Sequence, residues 1–446
     1  MNVIDAVDAV LPSVLEDLAA LVAIPSVSAL PGHADDVRAT ADWIVAQLRE
    51  LGCDDVRIVA EGGQPAVIAH FPAPAGAPTV CLYAHHDVQP TGDVALWTSA
   101  DPFRVREADG RLFARGVADD KAGVMVHLAA LRAFGGRPPV GVTLFVEGEE
   151  EVGSPSLATI LQRHRDLLAA DAYVIADSAN WNVGQPAFTT TLRGLVDCVV
   201  EVSTLDHALH SGQYGGAVPD ALTTLCRLLA TLHDAEGNVA IEGLGAMPEP
   251  ELDYPESRLR AETGLLDGVR LLGDGPIAGR LWTKPTATVI GIDATSVADA
   301  SNTLAPSARA KVSVRIAPDA DPGQALAALT THLQRHAPWG ARVRVSDGTK
   351  GSGTTVPFRG PFADAARAAF VEAWGVEPVF TGQGGSIPMV ADFQQTFPAA
   401  EVLVTAVCDP DSRMHGIDES LHLGDFARAC RAEALLLARL GGTPTG

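Results

Sequence analysis

The strongest constraint on this chain is an α/β pattern that breaks off midway and later resumes. Helical spacing covers 5–22 and 34–51, and strand-like runs fall at 66–71 and 79–84. A helix at 120–134, a buried strand at 142–147 and a short strand, AYVIAD, at 172–177 follow, with Ser154-Pro155 read as the N-cap and first-turn proline of an intervening helix. Alternation of this kind builds an α/β sheet covered on both faces. From VGQPAF (183–188) onward the order changes to strand 189–203, helix 218–233, strands 285–292 and 308–317, helix 322–336 and strand 341–346. That is the split-βαβ order of a small two-layer α+β unit. Residues 237–283, rich in Pro, Glu and Gly, read as an irregular insertion within it. Beyond the Gly/Thr/Pro stretch at 347–362, a helix at 362–374 and a strand at 401–407 take up the first pattern again. The expectation is an α/β domain with a mixed sheet, formed by 1–186 and 351–446, with a smaller α+β domain inserted at 187–350. A chain of 446 residues is too long for one ordinary core, which agrees with this division.

Charge narrows the function. The formal net charge is −23 and no cluster of Lys and Arg stands out, so nucleic acid and anionic membranes are not expected partners. No apolar run reaches the 18 or so residues of a spanning helix, and the N-terminal MNVIDAVDAVLPSVLEDL lacks the basic region of a signal peptide and reads as a surface helix. The six cysteines are scattered without a C-x-x-C pair, which predicts a reducing, cytoplasmic setting and no thiolate metal site. Any metal must then be held by His and carboxylates.

Five segments far apart in sequence carry such groups at element ends. The strand at 79–84 runs into His85-His86-Asp87, where alternation puts His85 and Asp87 on one side, so that the carboxylate can fix the tautomer of a ligating His. Asp119 and Asp120 head a helix in RGVADDKAG, four acids crowd EGEEEVGS (147–154), Asp177 ends AYVIAD, and His415 lies in the polar loop DSRMHGIDES. Singly, each has an ordinary reading as a surface turn, a helix cap or a solvated charge run. Together, His85, Asp119, Glu151, Asp177 and His415 supply two imidazoles and three carboxylates, an inventory that suits a pair of zinc ions joined by a bridging carboxylate. Three carboxylates and one hydroxide would balance their charge.

In this order the segments AHHDVQP, RGVADDKAG, EEEVGS, VIAD and RMHGIDE resemble the dizinc aminoacylase/carnosinase metallopeptidases, and most closely the carnosinase-like dipeptidases. The resemblance spans essentially the whole chain, including His210-Ser211-Gly212 and GGSIP (384–388). It implies a zinc-peptidase-type catalytic domain with an inserted lid and dimerisation domain, and two Zn²⁺ per chain, with Mn²⁺ or Co²⁺ as alternatives. Carried over by position, His85 and Asp177 would hold one zinc, Glu151 and His415 the other, and Asp119 would bridge them. Asp87 would orient His85, and Glu150 would be the base acting on the water between the metals. His210 would reach the site of the second subunit of a homodimer, Arg315 in VSVRIAP would bind the substrate carboxylate, and Ser386 would line the pocket. His86, His207 and His422 are bystanders by this reading. Ala84 and Ala122 replace family glycines, Asp418 stands where Asn is common, and Gly382-Gln383 replaces the family's Arg-Glu, which leaves Arg315 as the expected cation of the pocket.

The implied function is hydrolysis of dipeptides with a free C-terminal carboxylate. Deacylation of N-acyl amino acids would use the same site, and a metal-free binding protein is the remaining class. The long lid insertion and the Gln89-Pro90 after AHHDV favour the dipeptidase.

Overall fold

Along the strand Thr79–His85, Val80, Leu82 and Ala84 alternate with Cys81 and Tyr83, and all five are buried. A strand with both faces covered belongs inside a parallel sheet flanked by helices. The structure, a computed structural model, describes residues 2–385 and 388–442, and puts that strand near the middle of a six-stranded mixed sheet. The order is Asp55–Val59, Ala66–Phe71, Gly141–Glu147, Thr79–His85, Ala172–Ile175, Glu401–Val404. The last four run parallel, while the first two pair antiparallel at one edge. On one face, Val80, Leu82, Val142, Leu144 and Val146 join a core with the helices Val3–Val22, Lys121–Ala133, Pro361–Trp374 and Leu423–Leu440. On the other, Tyr83 and Phe145 meet Phe393 edge to face, with ring centroids 5.5–6.1 Å apart. These strands, with the antiparallel edge, form the first of two units, which comprises the chain up to Thr190, Val356–Thr381 and the chain from Met389 onward.

The second unit is Thr191–Thr355 with a return at Gly382–Pro388. Its main sheet has four antiparallel strands, in the order Thr286–Asp293, Ser307–Ile316, Gly194–Ser203, Arg342–Gly351. Val312, Val314 and Ile316 alternate with Lys311, Ser313 and Arg315, and the apolar set packs against the helices Ala221–Leu229 and Pro322–Arg335. Followed along the chain this is β-α-β-β-α-β, so both the mixed α/β sheet and the split-βαβ insertion expected from the sequence are present.

Local differences have physical causes. The helix expected from Ser154-Pro155 begins only at Leu157, because Ser154 adopts a left-handed φ of +52°. Ser156 precedes the helix instead, and its hydroxyl is engaged by Glu149 at 2.5 Å rather than by the helix end. The strand expected at 189–203 is two strands, Ala187–Leu192 and Gly194–Ser203, interrupted at Arg193. The insertion read as irregular holds two short helices, Glu256–Thr263 and Ile277–Trp282. Among the described residues no helix is long and apolar enough to cross a membrane.

The aromatic cluster backs the strands that carry the chemistry. Phe145→Ala should therefore destabilise the first unit by about 3–5 kcal/mol in urea unfolding. A loss under about 1 kcal/mol would mean that the cluster is not a packed core.

Candidate metal centre

In the parallel part of the sheet, the strand ends converge on one edge, where open α/β sheets place their functional groups. His85 ends Thr79–His85 and is followed by Asp87. The strand Gly141–Glu147 leads into the 3-10 turn Glu150–Val152, and Asp177 lies just past Ala172–Ile175. Asp119 precedes the helix Lys121–Ala133, and His415 lies on the loop between Glu401–Val404 and the short strand Ser420–His422.

These side chains meet. His85 Nε2 is 3.1 Å from Asp119 Oδ1, His415 Nε2 is 3.0 Å from Asp119 Oδ2, and His415 Nε2 is 3.2 Å from Glu151 Oε2. The donors form two clusters, His85–Asp119–Asp177 and Asp119–Glu151–His415, each with ligand atoms within 4.8 Å of one another. Asp119 belongs to both and presents one oxygen to each imidazole, as a bridging carboxylate must.

The electrostatics call for positive charge at this point. Burial pushes the Asp177 carboxyl well up despite the nearby His85, and Asp120 rises for the same reason. Burial and the neighbouring carboxylates lift Glu150 to about 7, against the pull of His85. The His85 imidazole is driven toward protonation, because hydrogen bonds to Asp119 and Asp87 outweigh its burial. His415 rises to about 10 through Asp119 and then Glu151. Divalent cations among the same donors answer both demands, since they stabilise ionised carboxylates and take neutral imidazoles. The residues fit a two-metal site.

Supporting groups fix this geometry. His85 Nδ1 lies 3.0 Å from the Asp87 carbonyl and 3.3 Å from its carboxylate, so a proton there leaves the Nε2 lone pair facing the cluster. The Asp87 carboxylate also accepts the backbone N–H of Glu150 (3.2 Å) and of Glu151 (3.1 Å) and the hydroxyl of Ser28 (2.6 Å). Its pKa is lowered because the bonds from His85 and Ser28 and the nearby imidazoles outweigh burial. Gln89 Nε2 donates to Glu151 Oε2 at 2.7 Å. A Cβ on Gly123 would lie 2.3 Å from Asp120 Oδ1 and 2.7 Å from the carbonyl of Ala176, so only glycine fits there.

Sequence reasoning passed over Arg115 and Glu419, both buried. Arg115 Nη1 donates to Glu419 Oε2 at 2.7 Å, and Nη2 to the carbonyls of His415 and Gly416 at 3.1 Å each. The Glu419 carboxylate also accepts the N–H of Gly116, Ala118 and Asp119 at 3.0 Å. The only sequence signal was their position inside RGVADDKAG and HGIDES. His415 itself has φ +62°, with Arg413 and Asp418 also left-handed, and this strained loop is held by Arg115 and by Thr98, which donates to Asp418.

His86 is buried with Nε2 2.8 Å from the Pro65 carbonyl, His207 pairs with Asp206 on the surface, and His422 caps the helix Leu423–Leu440 through the N–H of Asp425. His210 and Arg315 lie in the second unit, the first exposed on the short strand Leu209–His210 and the second half-buried on Ser307–Ile316. Ser386 lies outside the described residues. At Gly382 a Cβ would meet Trp282 at 2.5 Å, so this position has no room for an Arg.

The family described as peptidase family M20/M25/M40 matches residues 81–439. The cysteinylglycine-S-conjugate dipeptidase of Corynebacterium striatum is 35% identical to this chain over 439 residues, which cover 96% of this chain and 95% of the relative. The beta-Ala-His dipeptidase of Rattus norvegicus is 27% identical, covering 86% of this chain and 81% of its own. The solved di-peptidase Dug1p from Saccharomyces cerevisiae matches with a TM-score of 0.83 at 26% identity, over 99% of this chain and 98% of that one.

Because the Arg115–Glu419 pair is buried, removing one partner strands the other. Arg115→Met should cost about 3–5 kcal/mol of stability and should lower bound divalent metal, measured by elemental analysis, since the loops of Asp119 and His415 both rest on it. Full metal content and an unchanged melting temperature would refute this role.

Proposed function

The chain belongs to peptidase family M20/M25/M40, and from that premise we propose that it is a metal-dependent dipeptidase acting on substrates with a free C-terminal carboxylate. The observation that carries this reading is Asp119, shared between two donor clusters with the carboxylate of Glu150 close by. His85 and Asp177 would hold one divalent ion, Glu151 and His415 the other, and Asp119 both; zinc suits these N and O donors, with manganese or cobalt as alternatives. When bound, such a pair polarises an amide carbonyl and makes a water acidic enough to attack it near neutral pH.

The remaining work falls to the chain. Glu150 takes a proton from the attacking water and passes it to the amine nitrogen as the C–N bond breaks, leaving one free carboxylic acid and one free amine. Among the described residues its carboxylate makes no hydrogen bond, whereas Glu149 and Glu151 on either side are tied down. A carboxyl free of partners and buried among other acids is suited to carry a proton out and back. Asp87 keeps His85 oriented. Arg315 grips the terminal carboxylate, for which a planar guanidinium offers two parallel hydrogen bonds.

His210, from a second copy of the chain, would stabilise the developing oxyanion, a contribution typically worth about 3–4 kcal/mol. A homodimer is consistent with the edge strand Thr286–Asp293, which exposes Val289, Ile290 and Ile292 and has one unpaired side. The six free cysteines suit a reducing cytoplasm.

Glu150→Gln should retain both metals and lose about a hundred- to ten-thousand-fold in kcat, while Glu151→Gln should lose metal; substantial turnover by Glu150→Gln would remove it as the base. A panel of free dipeptides and N-acyl amino acids decides the substrate class, and faster cleavage of the N-acyl compounds would replace the dipeptidase by a deacylase. Mixed Glu150→Gln and His210→Ala chains should recover partial activity, because some heterodimers then hold one intact site. No recovery despite proven subunit exchange would rule out sharing of His210.

A further inference from the structure

Arg193 is a charged side chain that the proposed chemistry does not use, and it is only 7% exposed. Its Nη1 reaches the carbonyls of Arg280 and Lys284 and the hydroxyl of Thr286 at long distances of 3.3–3.4 Å, and its Nε has no partner among the described residues. Among the described residues no acid pairs with it. Thr286 also stands opposite Arg315 in the strand register, and Leu195, two residues beyond Arg193, is Arg315's partner on the other side. The two guanidinium-bearing residues are thus neighbours across adjacent strands of the second unit.

Burial and the positive charge of Arg315 together lower Arg193 to about 10, and burial alone lowers Arg315; no carboxylate offsets either. In a chain with net charge −23, two adjacent buried or half-buried cations without an acid stand out. Backbone covers the other side of Arg193: a Cβ on Gly384 would lie 2.8 Å from its Nη2, and its own N–H donates to the Gln383 carbonyl at 3.2 Å. The Arg193 guanidinium therefore lies directly against the glycine-bearing segment 383–385, where a side chain at 384 would crowd it.

We propose that Arg193 and Arg315 together form a two-guanidinium subsite for a carboxylate, in which Arg193 is a specificity-determining residue that favours a free terminal carboxylate over its amide. The inference rests on the dipeptidase reading for the identity of the substrate, but the preference for a carboxylate is measurable without turnover. Arg315 lies on the half-exposed side of the strand and makes the direct contact. Arg193 supplies a second fixed charge behind it, which strengthens the attraction for an anion and disfavours a neutral amide.

The test uses metal-loaded Glu150→Gln protein, titrated calorimetrically with a dipeptide and with the same dipeptide as its C-terminal amide. The acid should bind at least tenfold more tightly than the amide. Adding Arg193→Gln should cut that ratio at least threefold while changing the affinity for the amide less than twofold, and Arg193→Lys should restore part of the ratio. In the active enzyme the same Arg193→Gln change should appear in KM, with kcat within about twofold. Should Arg193→Gln not fold, Arg315→Gln alone decides: a residual preference for the acid is the contribution of Arg193, and its complete loss overturns the proposal. Equal weakening of acid and amide by Arg193→Gln would reveal a merely structural residue and would also overturn it. If wild-type protein cleaves no dipeptide yet binds the acid selectively through Arg193, the functional reading fails while the subsite stands.

Discussion

The buried ion pair of Arg115 and Glu419 holds the geometry of the candidate metal centre. The two residues are 304 positions apart, and between them they bind six backbone groups: the N–H of Gly116, Ala118 and Asp119, and the carbonyls of Pro90, His415 and Gly416. Taking two charges out of water is costly, and a buried pair of this kind is weak ground for stability in itself. Here its hydrogen-bonding capacity is spent on three loops, those that follow Asp87, contain Asp119 and contain His415. A centre that needs a carboxylate between two imidazoles requires those loops to hold their relative positions closely, and the pair provides a rigid polar link where an apolar contact would allow sliding.

The same economy appears one layer further out. Asp87 is a single carboxylate with two tasks, since it lies against His85 Nδ1 and also accepts the N–H groups of Glu150 and Glu151. The orientation of His85 is therefore coupled to the position of the turn that carries Glu150 and Glu151. Three consecutive acids then diverge because their partners differ. Glu149 turns back to the N–H of Gln64 and Ser156, Glu151 is steadied by Gln89, and the Glu150 carboxylate has no hydrogen-bond partner among the described residues. Adjacent residues of like charge thus acquire different surroundings through these fixed bonds alone.

Much of this was legible in the sequence, and the reasons are physical. Strand periodicity ends where the chain must turn, so His85-His86-Asp87, EGEEEVGS and Asp177 showed themselves as polar groups at the ends of apolar runs. The order of strands and helices in both units followed from the same periodicities. What stayed hidden depends on contacts distant in sequence. Arg115 and Glu419 look like ordinary surface charges until the fold brings them together. The N-cap expected at Ser154 failed because that residue turns left-handed, and the hydroxyl of Ser156, which does precede the helix, is engaged by Glu149. The long helix Leu423–Leu440 escaped notice because its mixture of Ala, Arg, Glu and Leu is buried by packing against the helices Val3–Val22 and Pro361–Trp374. The break at Arg193 was masked by a run of β-branched residues on either side.

That break lies in the unit where charge runs the other way. A protein so acidic has every reason to repel an anionic substrate, and its first unit gathers carboxylates that only cations can reconcile. The second unit holds the opposite case, two guanidiniums with no acid between them among the described residues. Charge is thus segregated by unit: the carboxylates of the first can stay ionised together only where cations join them, and the guanidiniums of the second are left with charge that only an anion would offset.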